Sequence, residues 1–123
     1  MSAYATGHKS AVNAMGVYAD RTRDPLDDPK VENITSLVQR RHAMAVGIVT
    51  NTEIEDATPA AMVAHTRRRS EYDRIVEQYF AAKPDLLMGG GLAHFLPKSA
   101  ATRDAGTKLT SSRAFERQAT VSP

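Results

Sequence analysis

The segment S-E-Y-D-R-I-V-E-Q-Y-F-A-A, residues 70–82, constrains the fold more than any other part of this 123-residue chain. Tyr72, Ile75, Val76, Tyr79 and Phe80 recur there at helical spacing, so one face of a helix must meet an apolar surface. Ser70 with Asp73 offers a variant of the capping box at its start. Residues 45–50, A-V-G-I-V-T, are apolar and rich in β-branched types, which suits a strand buried on both faces of a parallel sheet. Residues 85–91, D-L-L-M-G-G-G, read as a second short strand ending where the backbone must turn at the carboxyl edge of a sheet. Strands alternating with helices predict a layered α/β unit, although two strands are too few for a complete sheet.

The remaining segments fill in this outline. Residues 2–18 are rich in small side chains but interrupted by Gly7 and Gly16, which predicts a broken or short helix. Residues 20–30, D-R-T-R-D-P-L-D-D-P-K, are charged and twice punctuated by proline, a surface loop. Asn33 can cap a helix over 34–42, with Ile34, Leu37 and Val38 as one apolar stripe and Arg40, Arg41 and His42 at its carbonyl end. Thr58 can cap a further helix that begins at Pro59 and runs to about Arg67. From Lys98 onward apolar residues are scarce and unperiodic, so 98–123 is expected to be a poorly ordered tail and 1–97 the organised part.

Composition excludes some functions. The absence of cysteine removes disulfides, thiolate zinc sites and a cysteine nucleophile. A net charge of +2 does not require a nucleic-acid partner. No apolar run approaches the roughly 20 residues that cross a bilayer, and the first ten residues lack a signal peptide's apolar core, which leaves localisation unknown.

The chemistry-bearing candidates lie just after the first strand, where α/β folds collect their ligands. Asp56 and Thr58 offer hard oxygen donors suited to magnesium, and they equally suit the start of a helix, as dipole complement and cap. Arg67, Arg68 and Arg69 follow, either as a solvated helix end or with one guanidinium turned inward to hold a phosphate through two parallel hydrogen bonds. Spacing leaves both pairs of alternatives open. Gly89 to Gly91 lack the lysine of a P-loop and read as a turn. His8, His42, His65 and His94 are widely separated, and Ser2, Ser10 and Ser36 lack a G-x-S-x-G context.

Taken in order, A-T-G-H-K-S near the start, G-I-V-T-N-T-E-I-E-D-A-T-P-A-A-M-V-A-H-T, Arg69 four residues past His65, and D-L-L-M-G-G-G-L-A-H-F-L-P resemble the alkaline phosphatase family. The resemblance covers roughly residues 2–97 and implies part of a catalytic domain, a partial three-layer α/β sandwich with an incomplete sheet. It further implies a metal-dependent phosphomonoester hydrolase that uses two zinc ions, one magnesium and a transiently phosphorylated serine. By position, Thr58 corresponds to a direct magnesium ligand, Asp56 to a residue that holds magnesium through water, and Arg69 to the clamp on the substrate phosphate. Arg67 and Arg68 match no functional position and are expected at the surface, while Lys9 and Gly89 to Gly91 match positions that look structural.

The family's D-S-A-type nucleophile motif and its zinc ligands have no counterpart in these residues, and Ser2 lies beyond the nucleophile's position. The expectation is therefore a truncated chain, inactive alone, that retains the phosphate clamp and half of a magnesium site, with a phosphomonoester or inorganic phosphate as its small-molecule partner. Family members are commonly periplasmic, secreted or surface-anchored. The alternative is a non-catalytic phosphate- or partner-binding α/β domain, whose exposed sheet edges could also support self-association.

Overall fold

The computed structural model describes residues 1–20, 22–24 and 26–96, together with the backbone of 109–110. Its elements run α1 (Ser2–Thr6), α2 (Ile34–His42), β1 (Gly47–Glu53), α3 (Ala57–Ala60), α4 (Tyr72–Ala82), β2 (Leu86–Gly90), α5 (Leu92–Phe95) and β3 (Leu109–Thr110). β1 and β2 pair in parallel, with Gly47, Ile48 and Val49 opposite Leu86, Leu87 and Met88, and β3 adds antiparallel to the far side of β2. This is the expected α/β arrangement. The tail expectation for 98–123 falls outside the described residues, apart from the two-residue strand β3.

The stripe on α4 organises the core. Ile75, Val76 and Tyr79 are buried against Ile48, Ile54, Ala60, Ala61, Val63, Ala64 and Phe95, with Tyr72 and Phe80 at the margin. Burying an isoleucine of this kind contributes about 2 kcal/mol. Tyr79 is wholly enclosed, and its hydroxyl donates to the Ile54 carbonyl at 2.8 Å, so helix α4 is pinned to the residue that follows β1. That bond satisfies a polar group that would otherwise be costly to bury.

Helix α2 forms as expected. The Asn33 side chain accepts from the Ser36 backbone N–H at 3.0 Å, and Arg40, Arg41 and His42 occupy the last turn. Its apolar stripe is covered unevenly, however: Val38 packs on the core, whereas Ile34 is 50% exposed. The first helix is short, and stops at Gly7 in the left-handed conformation.

Four expectations need correction. Strand β1 is not buried on both faces, because Ile48 points into the core and Val49, on the opposite face, is 67% exposed; no described element packs over that face. Helix α4 begins at Tyr72 rather than Ser70, with no side-chain cap. Up to that point the chain is still closing a turn, marked by the Glu71 N–H to Arg68 carbonyl bond at 3.2 Å. The helix at Pro59 ends at Ala60 rather than near Arg67, and Asp56 rather than Thr58 caps it. Finally, Gly89 and Gly90 continue strand β2, and only Gly91, with φ 92°, turns the chain.

Candidate functional site

The pairing of β1 with β2 slips between Val49 and Glu53, where the next registered pair is Glu53 with Gly90. Such a bulge re-aims the residues that follow a strand. The Ile54 N–H then donates to the Gly90 carbonyl at 3.1 Å, and the chain turns, sending Ile54 and Glu55 inward and leaving Asp56 at the surface of the turn.

Asp56 has extended backbone angles, and its Oδ1 accepts from the Ala57 N–H at 2.8 Å. A carboxylate in this position also complements the positive end of the short helix. Thr58 therefore falls at the second helical position, with its side chain exposed and not engaged in capping. Pro59, third in the helix, still lies within the first turn, where a missing N–H leaves no intrahelical bond unmade.

The arginine run is placed by a different kind of contact. Met15 and Thr66 form an isolated antiparallel bridge, with N–H to carbonyl distances of 2.7 and 2.9 Å, and the Arg69 N–H donates to the Asn13 carbonyl at 2.9 Å. This pairing ties Thr66 and Arg69 to residues 13–15 through a bridge and a bend rather than a helix, which is why the helix cannot reach Arg67. His65, just before it, donates its backbone N–H to the Gln78 Oε1 at 2.8 Å and sets its Nδ1 against the Gly16 carbonyl at 2.8 Å. Burial holds the His65 imidazole below its ordinary pKa, so it serves as a neutral structural group. Gly16, at φ 59°, lies so close to the Ala64 carbonyl and the His65 ring that a Cβ there would stand 2.8 Å from each.

From this anchor Arg69 reaches Asp56, with Nη2 2.5 Å from Oδ1, although both side chains keep substantial exposure at 47% and 32%. Two of the three residues singled out in the sequence are thus in direct contact, and Thr58 follows Asp56 on the same turn. Arg69 also lines an open cleft of 480 Å³ with Asn13, Arg68, Ser70 and Tyr72. A guanidinium half in water, held by one carboxylate, retains donors that can be directed at an anion.

Arg67 departs from the expected surface role. Its side chain is only 17% exposed, and its guanidinium donates to the carbonyls of Asp20, Thr22 and Asp24 at 2.9, 2.5 and 3.2 Å and faces the carboxylates of Asp20 and Asp28 at 3.3 and 3.5 Å. Asp20, Thr22, Asp24 and Asp28 thus surround this cation. A charge run gives no sequence signal for which of three neighbouring arginines will be enclosed.

Glu55 was also missed. It is fully buried, neither carboxylate oxygen has a hydrogen-bond partner among the described residues, and His94 Nε2 lies 3.7 Å away. Burial pushes its pKa up to about 7. Gly91 packs directly over this carboxylate, where any Cβ would overlap it. The pattern E-I-E-D gave no sign that the second glutamate would face the core, because its neighbours Gly91 and His94 come from beyond β2.

Comparison with known proteins places this arrangement in a family. The alkaline phosphatase family model matches residues 1–118. The chain is 31% identical to the tissue-nonspecific alkaline phosphatase of Gallus gallus, over 88% of this chain and 26% of that protein. It is 32% identical to alkaline phosphatase H of Pseudomonas aeruginosa, over 88% of this chain and 25% of that protein. Among solved structures, a mutant of TAB5 alkaline phosphatase with Mg bound in its M3 site superposes with a TM-score of 0.66 at 31% identity, covering 76% of this chain and 25% of that one. The cold-active alkaline phosphatase of a Shewanella species gives a TM-score of 0.67 at 28% identity, covering 79% and 22%. The chain thus spans about a quarter of the length of the curated relatives it matches. Its motifs, its parallel α/β pairing and these matches agree, and the chain belongs to the alkaline phosphatase family.

Proposed function

We propose that this chain carries the phosphate clamp and part of the magnesium site of a phosphomonoester hydrolase. The observation that carries the reading is the convergence of Arg69 on Asp56 across 13 positions of sequence, at the carboxyl end of a parallel strand. In this reading Arg69 holds the equatorial oxygens of a substrate phosphate or of inorganic phosphate through paired N–H···O bonds. Asp56 is its resting partner, and phosphate competes for the same guanidinium.

The donors on this turn suit magnesium. A half-buried carboxylate and an exposed threonine hydroxyl are hard oxygen ligands, and a magnesium ion keeps waters that a carboxylate can hold in its outer shell. Thr58 would bind the ion directly and Asp56 through water. Bound there, magnesium supplies positive charge beside the phosphoryl group. The described residues present oxygen rather than a set of nitrogen and sulfur donors at this turn, so a zinc pair would draw on other residues of the family fold.

The role of this chain's own residues is then positioning and electrostatics. The Asn13 to Arg69 and Met15 to Thr66 backbone bonds fix the origin of the clamp, and the bulge at the end of β1 fixes the carboxylate it meets. Neither Arg69 nor Asp56 is a nucleophile. We therefore infer that the 123 residues by themselves do not turn over p-nitrophenyl phosphate at alkaline pH with magnesium and zinc present. Turnover that Arg69→Ala abolishes would overturn that inference, and equal inactivity of both chains would support it.

A second reading, a non-catalytic phosphate- or partner-binding domain, draws on the open face of the sheet. Val49 at 67%, Leu86 at 39% and Met88 at 37% exposure present apolar surface on β1 and β2, the kind of face that a further chain or copy could cover. Calorimetry with phosphate and sizing by light scattering test this reading: a specific oligomer favours it, and the absence of both phosphate binding and a specific oligomer counts against it.

A further inference from the structure

We propose that the carboxylates of Asp20, Asp27 and Asp28 form a calcium site, separate from the turn that carries Asp56. One oxygen from each of the three lies within 4.8 Å of the others. Oxygens bound to one calcium ion at 2.3–2.6 Å stand at most about 5 Å apart across its shell, so the three fit a single ion.

An acidic cluster alone would not carry this assignment, but Asp28 adds an independent observation. Its side chain is fully buried, and while Oδ1 accepts the Asp20 N–H at 2.7 Å, Oδ2 has no hydrogen-bond partner among the described residues. A buried carboxylate oxygen left without a donor is expensive unless a cation answers it. Arg67 answers only part of the charge, because its guanidinium faces Asp20 and Asp28 at 3.3 and 3.5 Å on their Oδ1 atoms.

The proton inventory points the same way. Thr22 Oγ1 lies 2.7 Å from Asp20 Oδ1 and 2.6 Å from Asp27 Oδ1, yet a hydroxyl has one proton and can donate to only one of them. The second close oxygen pair is repulsive until a positive charge is shared between its members. Calcium suits this set better than magnesium, because it tolerates irregular shells of carboxylates, hydroxyls and carbonyls, whereas magnesium demands near-octahedral geometry.

The test is calorimetric titration of calcium chloride into the chelator-treated 123-residue chain and two variants, Asp27→Asn and Asp56→Asn. Asp27 is exposed, so its amide variant keeps the fold, which circular dichroism checks; the buried Asp28 is left intact. The expected result is one saturable site with a dissociation constant on the order of 10⁻⁵–10⁻³ M, weakened at least about tenfold by Asp27→Asn and unchanged by Asp56→Asn. Three results overturn the proposal: no saturable binding at millimolar calcium, equal affinity in Asp27→Asn, or loss of binding in Asp56→Asn, which would put the ion at the other turn.

Discussion

Glu55 and Asp56 are adjacent carboxylates on opposite sides of one turn. The inner one is sealed beneath Gly91 with neither oxygen hydrogen-bonded among the described residues, and the outer one is shared between a helix N–H and an arginine in contact with water. The difference teaches what the bulge in β1 accomplishes: it makes one side of the turn rigid by close packing and leaves the other side able to exchange partners. Only the outer side offers a guanidinium to a ligand.

The comparison can be broken most severely from inside. Gly91→Ala adds a methyl group onto the Glu55 carboxylate at a backbone angle of φ 92°, and is expected to cost at least about 3 kcal/mol in urea unfolding from overpacking and left-handed strain together. A loss below about 1 kcal/mol would mean that the inner side is not tightly packed.

Next comes the pH dependence of the inner carboxylate. Its folded pKa of about 7 lies above the ordinary 4.5, so the fold favours the protonated acid. The stability associated with it is complete below about 4.5 and is lost as pH rises through about 7, at most about 3 kcal/mol in all. Glu55→Gln removes this titration. Unfolding free energies for the variant should therefore change less between pH 4.5 and 7 than those of the parent, and parallel curves would contradict the buried ionisable role.

Arg67 and Arg69 sharpen the same contrast on the outer side. Arg67→Ala removes the cation that Asp20, Thr22, Asp24 and Asp28 surround and leaves Asp28 buried beside no guanidinium, an expected loss of about 2 kcal/mol in chemical denaturation. Arg69→Ala breaks one partly exposed ion pair, and should lower stability by no more than about 0.5–1 kcal/mol. If the two variants lose stability equally, the separation of structural from exchangeable arginine fails.

Much of this was legible in sequence where local chemistry decides the outcome. The Asn33 cap, the stripe on α4 and the parallel pairing of two short apolar runs followed from spacing and residue type. Asp56 took the cap from Thr58 because local rules allow either oxygen, and tertiary pairing of residues 66–69 with 13–15 decided how far the helix could extend. Glu55 and Arg67 were illegible for one reason: their burial is created by segments distant in sequence, Gly91 and the acidic loop. The family resemblance singled out Arg69 from its run, and geometry added the carboxylate partner it meets.

The central claim is that Arg69 exchanges Asp56 for phosphate, and calorimetric titration of inorganic phosphate into the 123-residue chain tests it most directly. Saturable binding that is lost in Arg69→Ala and retained in Arg67→Lys is the predicted result; phosphate binding of equal strength in Arg69→Ala would contradict it.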